Sequence, residues 1–488
     1  MWTRWLLQRR TWAWLAIALV LRGGYFALFI QEHGLHGAWY GWGAENGDTP
    51  GYFEPIDAYL RGEGYRPDFR MPGYGLPYLL ARLYTTPQGA GTAIIFLQAA
   101  LGILSVMVLA RSLRLLGAGD RLATVGCVAY ALLGRVAVYD VCWFTESFCT
   151  SALILAVHGW LAHLRTGSLR MLSWSGAWAA WAVFLKPVFA LWLVLLAAGI
   201  LLLVRASLRR RAVLAALFLL PFALADGWWM RRNWIMHGAL VPLSHGTIMP
   251  ELARSPMYPL MRLLQATGGN YLHWDPSAHI RWFNMREGPR GAPGKRKDRG
   301  VEMPSFALSP GITGDSLRTL AAEMPRYSDP SLHYTERSAV LRRITDRCER
   351  YIRTYRTERP WQYQVMARWR LTVLFFNKAG LGGLFGEPPR RPGPLVSPLN
   401  LLDTLMHWGL LVGGLGGSLL LLARGRERSL RWLALLTLVG VLVYPWGLRL
   451  CEGRYLVPML PFLLMMLTLA MLRGSRRTRV GQPVAERT

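Results

Sequence analysis

Long apolar segments alternate with short basic connections along this chain, and that alternation restricts the fold more than any other feature. The apolar segments run for roughly 18 to 23 residues, enough for a helix to cross a hydrocarbon core of about 30 Å. A soluble chain would show amphipathic periods instead. The pattern predicts an all-α integral membrane protein with about ten transmembrane helices. The predicted spans are 11–30, 92–111, 122–139, 143–163, 171–185, 187–204, 212–230, 400–422, 431–448 and 455–472.

The fifth and sixth spans are separated at one dipeptide. Residues 171–204 carry a single charged side chain, Lys186, and are too many for one crossing. Because proline cannot continue a helix without loss of a hydrogen bond, we divide the segment at Lys186-Pro187.

The basic residues predict the orientation. With the N-terminus inside, every short basic connection falls on the inner side: 111–121, 165–170, 205–211, 424–431 and the tail from 473. This is the positive-inside pattern, from which long loops are exempt. We expect a multi-pass protein of the plasma (inner) membrane with both termini cytoplasmic. Its parts would be a transmembrane module at 1–230 with a first outer loop at 31–91, an extracytoplasmic loop or subdomain at 231–399, and C-terminal helices with a basic tail at 400–488.

The net charge of +28 raises nucleic acid as a partner. The basic residues lie in clusters between apolar segments, not in one patch with interleaved aromatics, so we exclude nucleic acid. Five cysteines without paired spacing imply neither a zinc site nor a disulfide framework, although a Cys348–Cys451 pair outside the membrane stays open. The N-terminal MWTRWLLQRR resembles a signal peptide but precedes no small-residue cleavage site, which predicts an uncleaved first helix.

Most other ionisable residues fall on the predicted outer face. They are Asp48, Glu54, Asp57, Asp68 and Arg70 in the first loop, Asp140 and Glu146 at the fourth span, Lys186, Arg231 and Arg232, and Arg449, Glu452 and Arg454 before the last span. Charge near membrane depth is costly and is usually paired or functional. Convergence of five connections therefore favours a site. Simpler alternatives remain: a helix cap for Asp48, interfacial anchors for Arg231 and Arg232, and a structural pair of Glu452 with Arg454.

A series of motifs in a fixed order carries a resemblance. It comprises GDTPGYFEPIDAYLRGEGY, RMPGYGLPYLLARLY, FLQAALGILSVMVLARSL, WFTESF, LKPVFALWL, MRRNWIMHGALVPLS and EGRYLVPMLPFLL. The series resembles the GT-C glycosyltransferases with polyprenyl-phosphate sugar donors, a group that contains protein O-mannosyltransferases and the lipid A aminoarabinose transferase. It covers nearly the whole chain except 255–340. LKP stands where many members have Arg-Pro, and MPGY where many have two prolines.

The resemblance implies inverting transfer of a sugar from a polyprenyl-phosphate-linked donor to a lipid, protein or polysaccharide acceptor at the outer face. Its catalytic carboxylate corresponds to Asp48. A phosphate leaves without a general acid, so one carboxylate suffices to deprotonate the acceptor, while cations balance the phosphate charge. The candidate donor-binding residues are Arg70, Tyr74, Lys186, Arg231, Arg454 and Tyr455, with Asp140, Glu146 and Glu452 as supporting acids.

No cofactor is predicted. A divalent metal at Glu32, His33, His36 and Asp48 is left open, because their spacing is loose. The expected partners are the donor, an acceptor that the sequence does not identify, and the bilayer. A transporter or lipid flippase is the main alternative; it would favour charges at mid-membrane depth and internal repeats, and no repeat is seen. A structural or assembly subunit is a third, and it would not need such a set of charges.

Overall fold

The computed structural model describes residues 9–33, 48–65, 67, 70–238, 240–243, 256–269, 304–329, 331–377 and 396–480. Asp68, His36, the side chains of Glu32 and His33, and the loop around 285–300 lie outside what it describes. Across the described ranges the secondary structure is helical, with one isolated β-bridge between Ser309 and Ile312. The prediction of an all-α integral membrane protein is confirmed.

We number the α-helices in chain order. The first ten are α1 Arg9–His33, α2 Pro50–Leu60, α3 Gly75–Arg82, α4 Pro87–Leu115, α5 Asp120–Ala131, α6 Gly134–Ala137, α7 Thr145–Thr166, α8 Leu169–Leu185, α9 Ala190–Leu203 and α10 Leu208–His237. The others are α11 Met257–Thr267, α12 Gly314–Ser328, α13 Tyr334–Glu358, α14 Ala367–Asn377, α15 Val396–Gly409, α16 Leu415–Arg424, α17 Arg428–Leu442 and α18 Leu460–Val480. Turns of π-helix at Gln362–Met366, Leu410–Gly414 and Val443–Leu448 adjoin α14, α15 and α17.

Each predicted span coincides with helical structure, but the helices differ in length. Among the described residues, seven segments are long and apolar enough to cross a membrane: Arg10–Phe29, Pro87–Leu115, Thr145–Thr166, Leu208–Met236, Pro398–Arg424, Arg428–Leu448 and Gly453–Leu472. The pair Asp120–Ala131 with Gly134–Val141, which is bent by 56°, makes an eighth if it is counted as one span. The remaining two predicted spans, 171–185 and 187–204, are shorter helices on either side of Lys186. Pro187 disfavours a helical conformation at the residue before it, and Lys186 is extended (φ −146°, ψ 111°), which ends α8 there.

By its internal contacts the chain divides into two compact units. The first unit comprises Met1–His245, Ala379–Val441 and Arg454–Thr488, and the second comprises Gly246–Lys378 and Leu442–Gly453. The division reflects contacts within the protein and does not locate the membrane. The placement of 231–399 outside the membrane therefore stays a prediction. In the second unit α11, α12 and α13 pack around one apolar core that includes Leu260, Leu264, Leu320, Ile344 and Cys348.

Helix α7 is the most enclosed of the candidate spans in the first unit, and 94% of its apolar 18-residue segment is buried. It packs against α4 and α8. Gly167 follows it in the left-handed region (φ 68°), which ends the helix and turns the chain into α8. Helices α7 and α8 are therefore antiparallel, and the first turn of α7 lies beside the last turn of α8. Glu146 and Lys186 belong to these two ends.

Polar contacts join the short helices α2 and α3 to each other and join the turn before α3 to α8. Tyr78 Oη donates to Asp57 Oδ2 at 3.0 Å, and Arg82 Nε donates to Asp57 Oδ1 at 2.7 Å. Gly73 N donates to Phe184 O at 3.1 Å, and Trp181 Nε1 donates to Gly73 O at 2.9 Å. The backbone around Gly73 thus contacts α8 directly, and a Cβ there would overlap that backbone.

Candidate functional site

Asp48 lies between two arginines that are far apart in the sequence. Arg70 Nη2 is 2.9 Å from Asp48 Oδ1, and Arg454 Nη1 is 2.5 Å from Asp48 Oδ2. Each carboxylate oxygen therefore accepts a charge-assisted hydrogen bond. The Asp48 side chain keeps 28% of its surface exposed, so the pair of arginines does not seal it from solvent.

A second ion pair adjoins the first. Lys186 Nζ is 2.6 Å from Glu146 Oε1, and Arg454 Nε lies 3.9 Å from the same oxygen. Glu146 has no exposed side-chain surface, and Thr145 Oγ1 donates to its Oε2 at 3.3 Å. Arg454 thereby connects the two carboxylates. We call Asp48, Arg70, Glu146, Lys186 and Arg454 the charged cluster.

The charged cluster holds three cations and two carboxylates, a net charge of about +1 if all are ionised. Such an excess suits a ligand with one or two negative charges. Glu146 also occupies the first turn of α7, where the positive end of the helix dipole stabilises a carboxylate.

Aromatic rings line the cations of the charged cluster. The Arg70 guanidinium lies 4.3 Å from the ring centroid of Tyr52, and Lys186 Nζ lies 4.2 Å from that of Tyr455. The Arg454 guanidinium is 5.3 Å from the rings of both Phe144 and Tyr455. Stacking of this kind restricts the side chains without consuming their hydrogen-bond donors.

The electrostatics of Asp48 follow from these contacts. Burial raises the pKa of Asp48, but the charges and hydrogen bonds of Arg454 and Arg70 outweigh it and hold that pKa below its ordinary value of 3.8. Asp48 is thus fully ionised at neutral pH. While it is bound by both arginines it is a weak base.

Two other candidate residues lie within the protein interior. Tyr74 is fully buried, and its hydroxyl donates to Gln98 Oε1 at 2.7 Å. Gln98 Nε2 in turn donates to the backbone oxygens of Tyr139, Asp140 and Cys142 at 3.1, 3.2 and 2.8 Å. Tyr74 therefore braces the segment before α7. No signal in the sequence pointed to Gln98.

Asp140 forms a separate buried pair. Arg22 Nη1 lies 2.9 Å from Asp140 Oδ2, and Ser147 Oγ donates to Asp140 Oδ1 at 2.6 Å. Arg22 comes from the middle of the first span, a position that sequence reasoning left unassigned. The pair holds the bent crossing to α1 and α7.

Arg231 is not among the ion pairs described for the charged cluster, and the pairing of Glu452 with Arg454 stays a prediction. The Arg231 side chain is exposed near the end of α10, and Glu452 belongs to the second unit. The next residue, Arg232, contacts other parts of the first unit. Its Nη2 donates to Tyr65 O at 3.1 Å, and its guanidinium lies 4.9 Å from the ring of Trp229.

An apolar cavity of about 870 Å³ lies in the first unit between α2, α3, α8 and α10. Its lining includes Ile56, Gly73, Trp181, Phe184, Leu224 and Arg232. The lining and the charged cluster are close along the chain, since Gly73 follows Arg70 by three residues and Phe184 precedes Lys186 by two. No single segment of the sequence indicates this cavity, because its walls come from four helices.

The described side chains form no group of three or more His, Cys, Asp or Glu that would suit a metal ion. The metal hypothesis at Glu32, His33, His36 and Asp48 includes side chains outside that description, so it stays open.

Comparison with known proteins gives a likeness in structure and none in sequence. No family model matches the chain, and no curated protein matches its sequence. Among solved structures it is similar to ArnT from Cupriavidus metallidurans in the apo state, with 13% identity and a TM-score of 0.33. The alignment covers 98% of this chain and 80% of that one. A likeness of this degree identifies neither a donor nor a reaction.

Proposed function

We propose that this membrane protein is a glycosyltransferase of the GT-C type. It would transfer a sugar, with inversion, from a polyprenyl-phosphate-linked donor to an acceptor at the outer face of the membrane. The observation that carries the proposal is the bridging of the Asp48 carboxylate by Arg70 and Arg454. Arg454 also lies near Glu146, which is paired with Lys186. The sequence resemblance supports the same reading.

The cations of the charged cluster suit a phosphate leaving group. Cleavage of the bond between the anomeric carbon and the phosphate oxygen leaves negative charge on the phosphate. The two arginines can bind its oxygens bidentately, and Lys186 can act as a point charge. The departing group has a second pKa of about 6, so it needs no proton from the enzyme. A paired acid of the glycosidase kind is therefore unnecessary.

Asp48 and the donor phosphate would compete for the same two arginines. When the phosphate engages Arg70 and Arg454, it weakens their hold on the carboxylate, and the pKa of Asp48 rises toward its ordinary value. Asp48 then accepts a proton from the acceptor hydroxyl or amine as that atom attacks the anomeric carbon. In this scheme donor binding activates the base.

The apolar cavity suits the carrier lipid of the donor. Its volume, about 870 Å³, lies within the usual range of ligand pockets, about 300–1,000 Å³, and its lining is mostly aliphatic and aromatic. We infer that the isoprenoid units nearest the phosphate occupy it. Arg232 at its edge supplies a further cation.

The transporter or flippase alternative has one observation in its favour. Arg22 and Asp140 form an ion pair inside spans, as do Arg135 and Asp403 at 3.1 Å. Intramembrane charges are typical of transport pathways. Both pairs are buried and mutually neutralised, however, which also suits a structural role.

The test is a transfer assay on purified, reconstituted protein with a panel of polyprenyl-phosphate sugars and candidate acceptors. We expect the release of polyprenyl phosphate to depend on the acceptor. We also expect the product to have the inverted anomeric configuration. Movement of labelled lipid across proteoliposomes without cleavage of the sugar–phosphate bond would favour the flippase instead.

A further inference from the structure

Helix α14 in the second unit is apolar on two opposite faces. Ala367, Leu371 and Phe375 recur every four residues and are fully buried. Trp369 and Val373 lie on the other side, with 55% and 39% of their surfaces exposed. An outer face facing water would carry polar residues instead. This outer face is therefore suited to an apolar or interfacial environment.

Two more tryptophans are exposed in the same unit. Trp361, just before the π-helical turn that leads into α14, is 64% exposed, and Trp446 is 39% exposed. Arg368 Nε on α14 donates to Trp446 O at 2.9 Å. We call Trp361, Trp369, Val373 and Trp446 the tryptophan surface.

The tryptophan surface is attached to the end of a membrane span. Residues Val443–Leu448 form the last part of the candidate span Arg428–Leu448 and belong to the same unit as α14. The Tyr444 ring in this segment lies 5.6 Å from the Phe375 ring on the buried face of α14. Helix α14 therefore packs against the last turns of that candidate span.

Basic side chains accompany these aromatics. Arg356 and Arg359, at the end of α13, are exposed, and neither forms an ion pair with a carboxylate that the structure describes. The Arg356 guanidinium lies 6.0 Å from the Tyr363 ring, next to the start of α14. Tryptophan is enriched at the headgroup level of bilayers, and arginine there attracts anionic lipid phosphates.

We propose that the tryptophan surface is a lipid-facing surface, on which α14 lies in the membrane interface and Arg356 and Arg359 contact anionic headgroups. The second unit would thus rest on the bilayer through α14 in addition to its covalent links. The partner is the lipid surface itself, because exposed tryptophans and cations occur together in the part of the second unit that adjoins the end of a candidate span. This surface is separate from the proposed transfer reaction.

The test is nitroxide labelling of single cysteines in the full-length protein in nanodiscs. All five native cysteines are buried, and burial raises the pKa of the Cys348 thiol to about 12, so an added surface cysteine can be labelled selectively. The probes are Trp369→Cys and Val373→Cys. The control is Tyr334→Cys, which is 64% exposed at the other end of α13 in the same unit.

We expect accessibility to oxygen, relative to a water-soluble nickel chelate, to be several-fold higher at 369 and 373 than at 334. Equal accessibility to the chelate at all three positions would overturn the proposal, since the face would be in water. Immobile labels that neither reagent reaches would overturn it in favour of a protein partner. Replacement of anionic lipid by neutral lipid, or Arg356→Gln, should lower the ratio at 369; an unchanged ratio would contradict the headgroup contact.

Discussion

The pair of Lys186 with Glu146 permits a test that separates stability from donor binding. Lys186→Met keeps most of the side-chain volume and removes the cation, which leaves the fully buried Glu146 without its partner at 2.6 Å. Loss of one member of a buried pair costs about 3–5 kcal/mol. Because Arg454 Nε is 3.9 Å from the same oxygen and can compensate in part, we expect the lower end, about 3 kcal/mol.

The matched control is the double variant Lys186→Met with Glu146→Gln. It removes both charges, so most of the lost stability should return, because a neutral replacement of a buried pair is often well tolerated. The free energy of unfolding is measured by SDS titration in mixed micelles. Equal losses in the single and double variants would refute the reasoning, since Glu146 would then not depend on Lys186 for its charge balance.

Donor affinity of the same two variants then reports on function. If Lys186 contacts the donor phosphate, affinity falls in both variants, by a factor that corresponds to about 2 kcal/mol or more. If Lys186 only neutralises Glu146, the double variant binds donor like the unmodified protein.

Three other perturbations give distinct outcomes. Tyr74→Phe removes the hydrogen bond to Gln98. Because Tyr74 is fully buried, we expect the unfolding free energy to fall by about 1–3 kcal/mol and turnover to stay near normal. A large loss of turnover in folded protein would assign Tyr74 to the reaction. Leu224→Trp should weaken binding of long-chain donors more than Leu220→Trp, which lies one turn away and outside the cavity lining; equal effects would contradict a lipid in the cavity. Acid should weaken the ion pairs of Asp48. The folded pKa of Asp48 lies below its ordinary value of 3.8, so the stabilisation by these pairs is present above that value and is lost as pH falls through the lower folded pKa. Melting temperatures should therefore fall more steeply below pH 4 in the unmodified protein than in Asp48→Asn, and parallel curves would contradict the pairing.

The members of the charged cluster could be predicted from the sequence. Membrane periodicity and the positive-inside pattern assigned Asp48, Arg70, Glu146, Lys186 and Arg454 to one face, and the structure brings these five residues into contact. The individual pairings were not accessible in this way. The structure pairs Arg454 with Asp48, 406 positions earlier in the chain, a contact that proximity in the sequence could not indicate.

Features built by several helices had no signature in the sequence. The cavity depends on how α2, α3, α8 and α10 pack, and no one of these segments contains it. In the sequence Gln98 is an isolated polar residue in an apolar span. In the structure its amide nitrogen donates hydrogen bonds to three backbone oxygens. The tryptophan surface becomes visible only once burial distinguishes the two apolar faces of α14.

The most direct test of the central claim compares two aspartates of the first loop. Asp48 lies in the charged cluster, while Asp57 is buried in an ion pair with Arg82. We measure the single-turnover rate of sugar transfer from a polyprenyl-phosphate-linked donor, with donor affinity and unfolding free energy on the same preparations.

Asp48→Asn should lower the single-turnover rate about a hundredfold or more, with much smaller changes in donor affinity and stability, because it removes the base and keeps the shape. Asp57→Asn should lower stability and leave the rate of the folded protein near normal. A normal rate in folded Asp48→Asn would contradict the account, and the base would then have to be sought at another carboxylate, with Glu146 as the first candidate.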